Sequence, residues 1–159
     1  MQKITPFLWF LGQAEEAVAF YASIFADAKV LHVSRYGEAG AEVSGKPKGS
    51  IMSIGFKLAG QQFVALNGGP QFTFSPAISF AVSCATQEEV DRFWEKLSAG
   101  GEKQVCGWLK DKFGVSWQVV PTILDEMLLD PDPIKTERVM RAMLQMAKID
   151  IEGLKKAYA

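Results

Sequence analysis

Histidine is nearly missing from this chain: His32 is the only one in 159 residues. With a single imidazole, general-base schemes built on histidine and Ser-His nucleophiles have little to work with, and no G-x-S-x-G elbow occurs. Cysteine is scarce too. Cys84 and Cys106 form neither a C-x-x-C pair nor a zinc spacing, so both are expected as free thiols, Cys84 in a structural role. A formal net charge of −1, with no local cluster of lysine and arginine, removes the electrostatic footprint of a nucleic-acid binder. No apolar run approaches the length of a bilayer span, and Met1 to Pro6 passes directly into a strand-like segment without a signal-peptide core. These absences predict a cytoplasmic protein with neither a membrane nor a nucleic-acid partner.

What is present suits one compact domain with a sizeable core: 48% hydrophobic, 11% aromatic and 22% charged residues. Ile4 to Leu11 reads as a strand covered on both faces. From Ala14 to Phe25 the apolar residues Ala17, Phe20, Tyr21, Ile24 and Phe25 fall at helical spacing, with Glu15 and Glu16 in the first turn, where the helix dipole favours acids. Lys29 to Tyr36 reads as a strand and Gly37 to Gly49 as a loop in which Gly37 to Gly40 opens no helix. Strands Ile51 to Leu58 and Gln62 to Leu66 flank a turn at Ala59-Gly60-Gln61.

After the breakers Asn67-Gly68-Gly69-Pro70 the same order begins again. Ala77 to Ser83 reads as a strand, Thr86 and Glu89 as a capping box, and Val90, Phe93, Trp94 and Leu97 as the buried stripe of a helix that stops at Gly100-Gly101. The helices Glu15 to Tyr21 and Glu88 to Trp94 match at a constant offset of 73. Each half is one βαβββ module, 1–69 and 77–121, within one domain, 1–121. Side by side, two such modules curl into a half-open barrel with a concave pocket. Residues 122–159 add helices over Thr122 to Leu129, Ile134 to Ala147 and Ile151 to Tyr158, the last capped by Asp150, and they are expected to pack on the domain or on a dimer partner.

The second module closes on Cys106 to Pro121. Gly114 supplies the positive φ of an Asp-Lys-Phe-Gly turn. Beyond it Val115, Trp117 and Val119 face one way, and Ser116, Gln118 and Val120 the other, so Gln118 can be offered to a cavity. Asp111 is assigned to the hairpin, Glu15, Glu16, Glu88 and Glu89 to helix starts, and Asp125 and Glu126 to a surface turn.

The two modules, the Phe20-Tyr21 and Phe93-Trp94 pairs and the run Cys106 to Gln118 together resemble the PhnB-like branch of the vicinal oxygen chelate superfamily, which also holds glyoxalase I and bleomycin-resistance proteins. Members of this branch often carry the label 3-demethylubiquinone-9 3-methyltransferase. The resemblance implies an α+β, glyoxalase-like fold and a homodimer. It also locates four metal-ligand positions in metal-dependent members, on the first and last strands of each module. Here these fall on Pro6, Ser79, Ala65 or its face-mate Asn67, and Gln118. Pro6 and Ala65 have no donor and Ser79 is a weak neutral one, so no metal site and no cofactor are expected. His32 is placed away from these positions. The candidate ligand-binding set is Trp9, Asn67, Ser79, Cys106, Trp108 and Gln118, joined by Phe72 and Phe74: an aromatic wall with a few amides and hydroxyls, suited to a small, partly flat, neutral molecule. The reading is a metal-free small-molecule-binding protein. The alternative is an enzyme of the same superfamily, either a metal-dependent lyase, isomerase or dioxygenase, or the methyltransferase of the family label; no catalytic residue is assigned.

Overall fold

A computed structural model describes residues 2–159, and the chain divides into two compact units, one running to Phe74 and the other Ser75–Ala159. The first unit contains strand β1 (Phe7–Leu11), helix α1 (Ala14–Ile24), β2 (Lys29–Arg35), α2 (Glu38–Ser44), β3 (Ile51–Leu58) and β4 (Gln61–Gly68). Its sheet runs β1-β4-β3-β2, with β1 parallel to β4 and the other neighbours antiparallel. The second unit contains β5 (Phe80–Cys84), α3 (Gln87–Ser98), β6 (Glu102–Lys103), β7 (Trp108–Lys110) and β8 (Ser116–Pro121), in the order β5-β8-β7-β6, with β5 parallel to β8. The fold class is α+β, and the same strand order recurs in both units.

In the first unit α1 buries Ala17, Val18 and Tyr21. The Tyr21 ring stacks on Phe56, and Phe56 on Phe63. Strand alternation therefore turns Ile54, Phe56, Phe63, Ala65 and Asn67 toward α1, with Leu8 and Phe10 from β1 beside them. In the second unit α3 buries the expected stripe, Val90, Phe93, Trp94 and Leu97. The Thr86 half of its capping box forms as expected, Thr86 accepting from the Glu89 N–H at 3.2 Å, while the Glu89 carboxylate reaches one residue further back and accepts from the Ala85 N–H at 2.7 Å.

Several boundaries differ from the sequence reading. The stretch Gly37 to Gly49 is not all loop: Gly37 is the N-cap of α2, whose residues are largely exposed. Small and polar residues there carry no apolar stripe, so nothing in the pattern marks a helix. β4 continues to Gly68, which puts Asn67 inside a strand, and β5 begins at Phe80 because Pro76 to Ile78 form a turn. The helix expected over Ile134 to Ala147 ends earlier: α5 is Pro133–Met143, started by Asp132, whose side chain accepts from the Ile134 N–H. With α4 (Thr122–Leu128) and α6 (Ile151–Tyr158) it encloses Leu124, Met127, Val139, Ile149 and Leu154, and Val120 of β8 packs against this cluster. The C-terminal helices thus cover the end of the second unit's own sheet.

Candidate functional site

The β7–β8 hairpin owes its shape to Asp111, which is 2% exposed. Its carboxylate accepts from the backbone N–H groups of Phe113 and Val115 at 2.9 and 3.0 Å and from the Trp117 indole at 2.9 Å. Gly114 has φ +93°, as the turn requires. The carboxylate thus fixes where Trp117 points, and with it the phase of β8. Val115, Trp117 and Val119 are buried, and Leu109 and Phe80 pair with Trp117.

On the opposite face of this sheet lie Ser116 and Gln118 of β8, Trp108 and Lys110 of β7, and Ala81 of β5, with Ser79 just before it. Trp108 pairs with Gln118 and Lys110 with Ser116. Gln118 Nε2 donates to Ser79 Oγ at 2.9 Å, and the Gln118 amide oxygen has no partner among the described residues. Three of the six predicted residues, Ser79, Trp108 and Gln118, therefore share one face. Cys106 precedes it. With φ +59° it forms a left-handed pair with Gly107 rather than the first residue of a strand.

Trp9 and Asn67 belong to the first unit and leave its sheet on different sides. The Trp9 ring faces away from α1 and lies over Gly68; its Nε1 donates to the Gly69 carbonyl at 2.9 Å, and Phe72 meets it edge-on at 5.0 Å. Phe74 packs on Phe10 at 5.2 Å. Asn67 points toward α1. Its Oδ1 accepts from the Ala14 N–H at 2.8 Å, and its Nδ2 donates to Glu15 Oε1 at 2.5 Å and to the Ile51 carbonyl at 3.0 Å. The amide is thus taken up by the fold. The single histidine faces away from α1 as well, its ring over Gly55 in the neighbouring strand.

The four positions at which metal-dependent superfamily members hold an ion do not fit one here. Pro6 and Ala65 offer no donor, Asn67 is bonded throughout its amide, and Ser79 and Gln118 are neutral groups bonded to each other. Among the described residues no three His, Cys, Asp or Glu side chains gather into a group that could hold a metal ion. Nor does the β2–α2 junction make a dinucleotide-type loop for S-adenosylmethionine: Gly37 is followed by Glu38, and α2 is seven residues long.

Two antiparallel-parallel sheets of identical strand order, each backed by a helix, define the chain as a glyoxalase-like protein of the vicinal oxygen chelate superfamily. A family model described as 3-demethylubiquinone-9 3-methyltransferase matches residues 2–120, and the chain belongs to that PhnB-like family. Among solved structures it is similar to the PhnB protein of Bacillus cereus, which carries the same methyltransferase label: 39% identity over 76% of this chain and 100% of that one, with a TM-score of 0.67. Protein PA1353 of Pseudomonas aeruginosa, at 22% identity, 76% and 98% coverage and a TM-score of 0.60, shares the fold. So does the fosfomycin resistance protein FosX of Listeria monocytogenes, at 20% identity, 81% and 98% coverage and a TM-score of 0.55. No curated protein matches significantly.

Sequence reasoning missed two members of the Trp108–Gln118 face. Ser116 was visible as the residue alternating with Gln118, but its burial was not. Lys110 was not singled out, because its register opposite Ser116 depends on where the hairpin closes.

Proposed function

We propose that this protein binds a small, partly flat molecule without a metal ion, on the second unit's sheet face opposite α3. The observation that carries this reading is the pairing of Trp108 with Gln118, whose amide is oriented by Ser79 at 2.9 Å and keeps a free acceptor. A ring supplies contact area and an oriented amide supplies direction, the usual division of labour in a ligand site. The protein acts as a cytoplasmic homodimer. Phe7 and Leu11 on the edge strand β1, 65% and 58% exposed, are the kind of side chains a second copy covers. Among the described residues no helix is long and apolar enough to cross a membrane.

Metal analysis of the purified protein, paired with calorimetry against S-adenosylmethionine, tests the reading. The expected result is substoichiometric metal and no heat of binding at millimolar S-adenosylmethionine. Stoichiometric Ni, Zn, Mn or Fe held by Gln118 and Ser79 would overturn it in favour of a metal-dependent enzyme, and a saturable heat would do so in favour of the methyltransferase.

A further inference from the structure

Three donors on the Trp108–Gln118 face are left without partners among the described residues. Ser116, two residues before Gln118, leaves β8 on the same side. It is 1% exposed, and its Oγ, wholly withdrawn from solvent, has no hydrogen-bond partner among the described residues. Buried hydroxyls are nearly always bonded, so this orphan one calls for a partner that the chain itself does not supply. Across the ladder stands Lys110, half-buried, whose ammonium makes no hydrogen bond or ion pair among the described residues. Glu102, its neighbour on β6, is the nearest carboxylate along that ladder, and no ion pair joins the two. The Trp108 indole N–H is likewise without a partner among the described residues.

The face is therefore rich in donors: an ammonium, a buried hydroxyl and an indole N–H, against one amide oxygen. Such a set recognises an anion with two or more acceptor oxygens. Side chains two residues apart on one strand face are about 7 Å apart, and directly paired ones about 5 Å. A group seated between Lys110 and Ser116 would thus place a ring attached to it beside Trp108 and Gln118, one step along the ladder. We infer, resting on the binding reading above but with an anion in place of the neutral molecule expected from the sequence, that the ligand is a small planar carboxylate, its oxygens held by Lys110 and Ser116 and its ring lying against Trp108.

Nuclear magnetic resonance titration with benzoate and with its neutral isostere benzamide tests this, read at the Trp108 indole N–H and the Gln118 side-chain amide. Benzoate is expected to shift both signals and to bind about tenfold more tightly than benzamide, the discrimination of one charge-assisted hydrogen bond. Lys110→Gln should abolish that preference, bringing benzoate down to the affinity of benzamide, and Ser116→Ala should weaken benzoate several-fold. Equal affinity for both probes, or a preference that survives Lys110→Gln, overturns the carboxylate while leaving a ligand site at Trp108. If neither probe moves Trp108 or Gln118, the binding reading falls with it.

Discussion

Asn67 Oδ1 accepts the backbone N–H of Ala14 at 2.8 Å, so the last strand of the first unit caps that unit's own helix. Gln13, in the N-cap position, makes no side-chain cap. Asn67→Ala would leave the Ala14 N–H without its acceptor, in a buried setting, and the partly buried Ile51 carbonyl without its donor. A loss of about 1–3 kcal/mol is expected in denaturant unfolding. The Trp108 response to benzoate should be unchanged, which separates a structural Asn67 from a ligand-binding one.

Much of this arrangement was legible in advance because it rests on local rules. The capping box at Thr86 and Glu89, the stripe through Leu97 and the turn at Gly114 each depend on residues within a few positions of one another. What was not legible depends on phase. The offset of 73 aligns α1 with α3, yet Leu8 and Phe10 face α1, whereas Phe80, Val82 and Cys84, in register with Trp117, Val119 and Pro121, face α3. The first strands are thus one residue out of step, and a one-residue slip exchanges the faces of a strand. Ala65 and Asn67, carried across as counterparts of Gln118, likewise lie on the helix side of their sheet. The face-mates of Trp9 are instead Val64 and Leu66, which also lack donors.

Asp111 offers a sharper test of hairpin control. Asp111→Ala would strand the N–H groups of Phe113 and Val115 and the Trp117 indole, at an expected cost of about 3 kcal/mol or more, because two of the donors left unpaired are buried and the third, that of Phe113, partly so. Asp111→Asn retains one carbonyl oxygen and should cost less. Trp117 fluorescence shifting to the red in the alanine variant would report that the indole has lost its buried seat.

The two thiols should differ in reactivity. Burial, reinforced by Glu89 and opposed by Arg92, pushes Cys84 from its ordinary value of 9.0 up to about 11. It therefore stays protonated where thiolates form elsewhere, and iodoacetamide at pH 8.5 should label the half-buried Cys106 first. The same shift fixes a pH dependence. Between pH 9 and about 11 the unfolded chain releases the Cys84 proton and the folded chain keeps it, so the folded state binds more protons and stability falls across that window. Cys84→Ala should flatten this alkaline decline; an unaltered decline would show that another group causes it.

Tyr158 donates a short hydrogen bond to Asp130, tying α6 to the segment between α4 and α5. That bond, helped by the Asp132 N–H, holds the Asp130 carboxyl below its ordinary value and raises the Tyr158 hydroxyl above its own. A depressed carboxyl stabilises the fold above its unfolded value of 3.8, and the benefit is lost as pH falls through the folded value. Tyr158→Phe should move Asp130 upward in a carbon-detected titration and speed amide exchange in α6. An unmoved Asp130 would assign its shift to the Asp132 N–H.

Cys106 and Gly107 hold the segment between α5 and α6 through their backbones: the N–H of Cys106 donates to the Met146 carbonyl and that of Gly107 to Ala147, each at 2.8 Å. Both have positive φ, but only Gly107 also lacks space, since a Cβ there would stand 2.8 Å from the Val119 carbonyl oxygen. Gly107→Ala therefore carries backbone strain and a clash with main chain that cannot turn aside, a combination expected to cost several kcal/mol, with about 1–3 from the backbone conformation alone. Cys106→Gly removes strain at its position while loosening the unfolded chain, so its effect should lie within about 1 kcal/mol of zero. Limited proteolysis checks the pair: Gly107→Ala should open the 144–150 segment to cleavage, and Cys106→Gly should leave it protected.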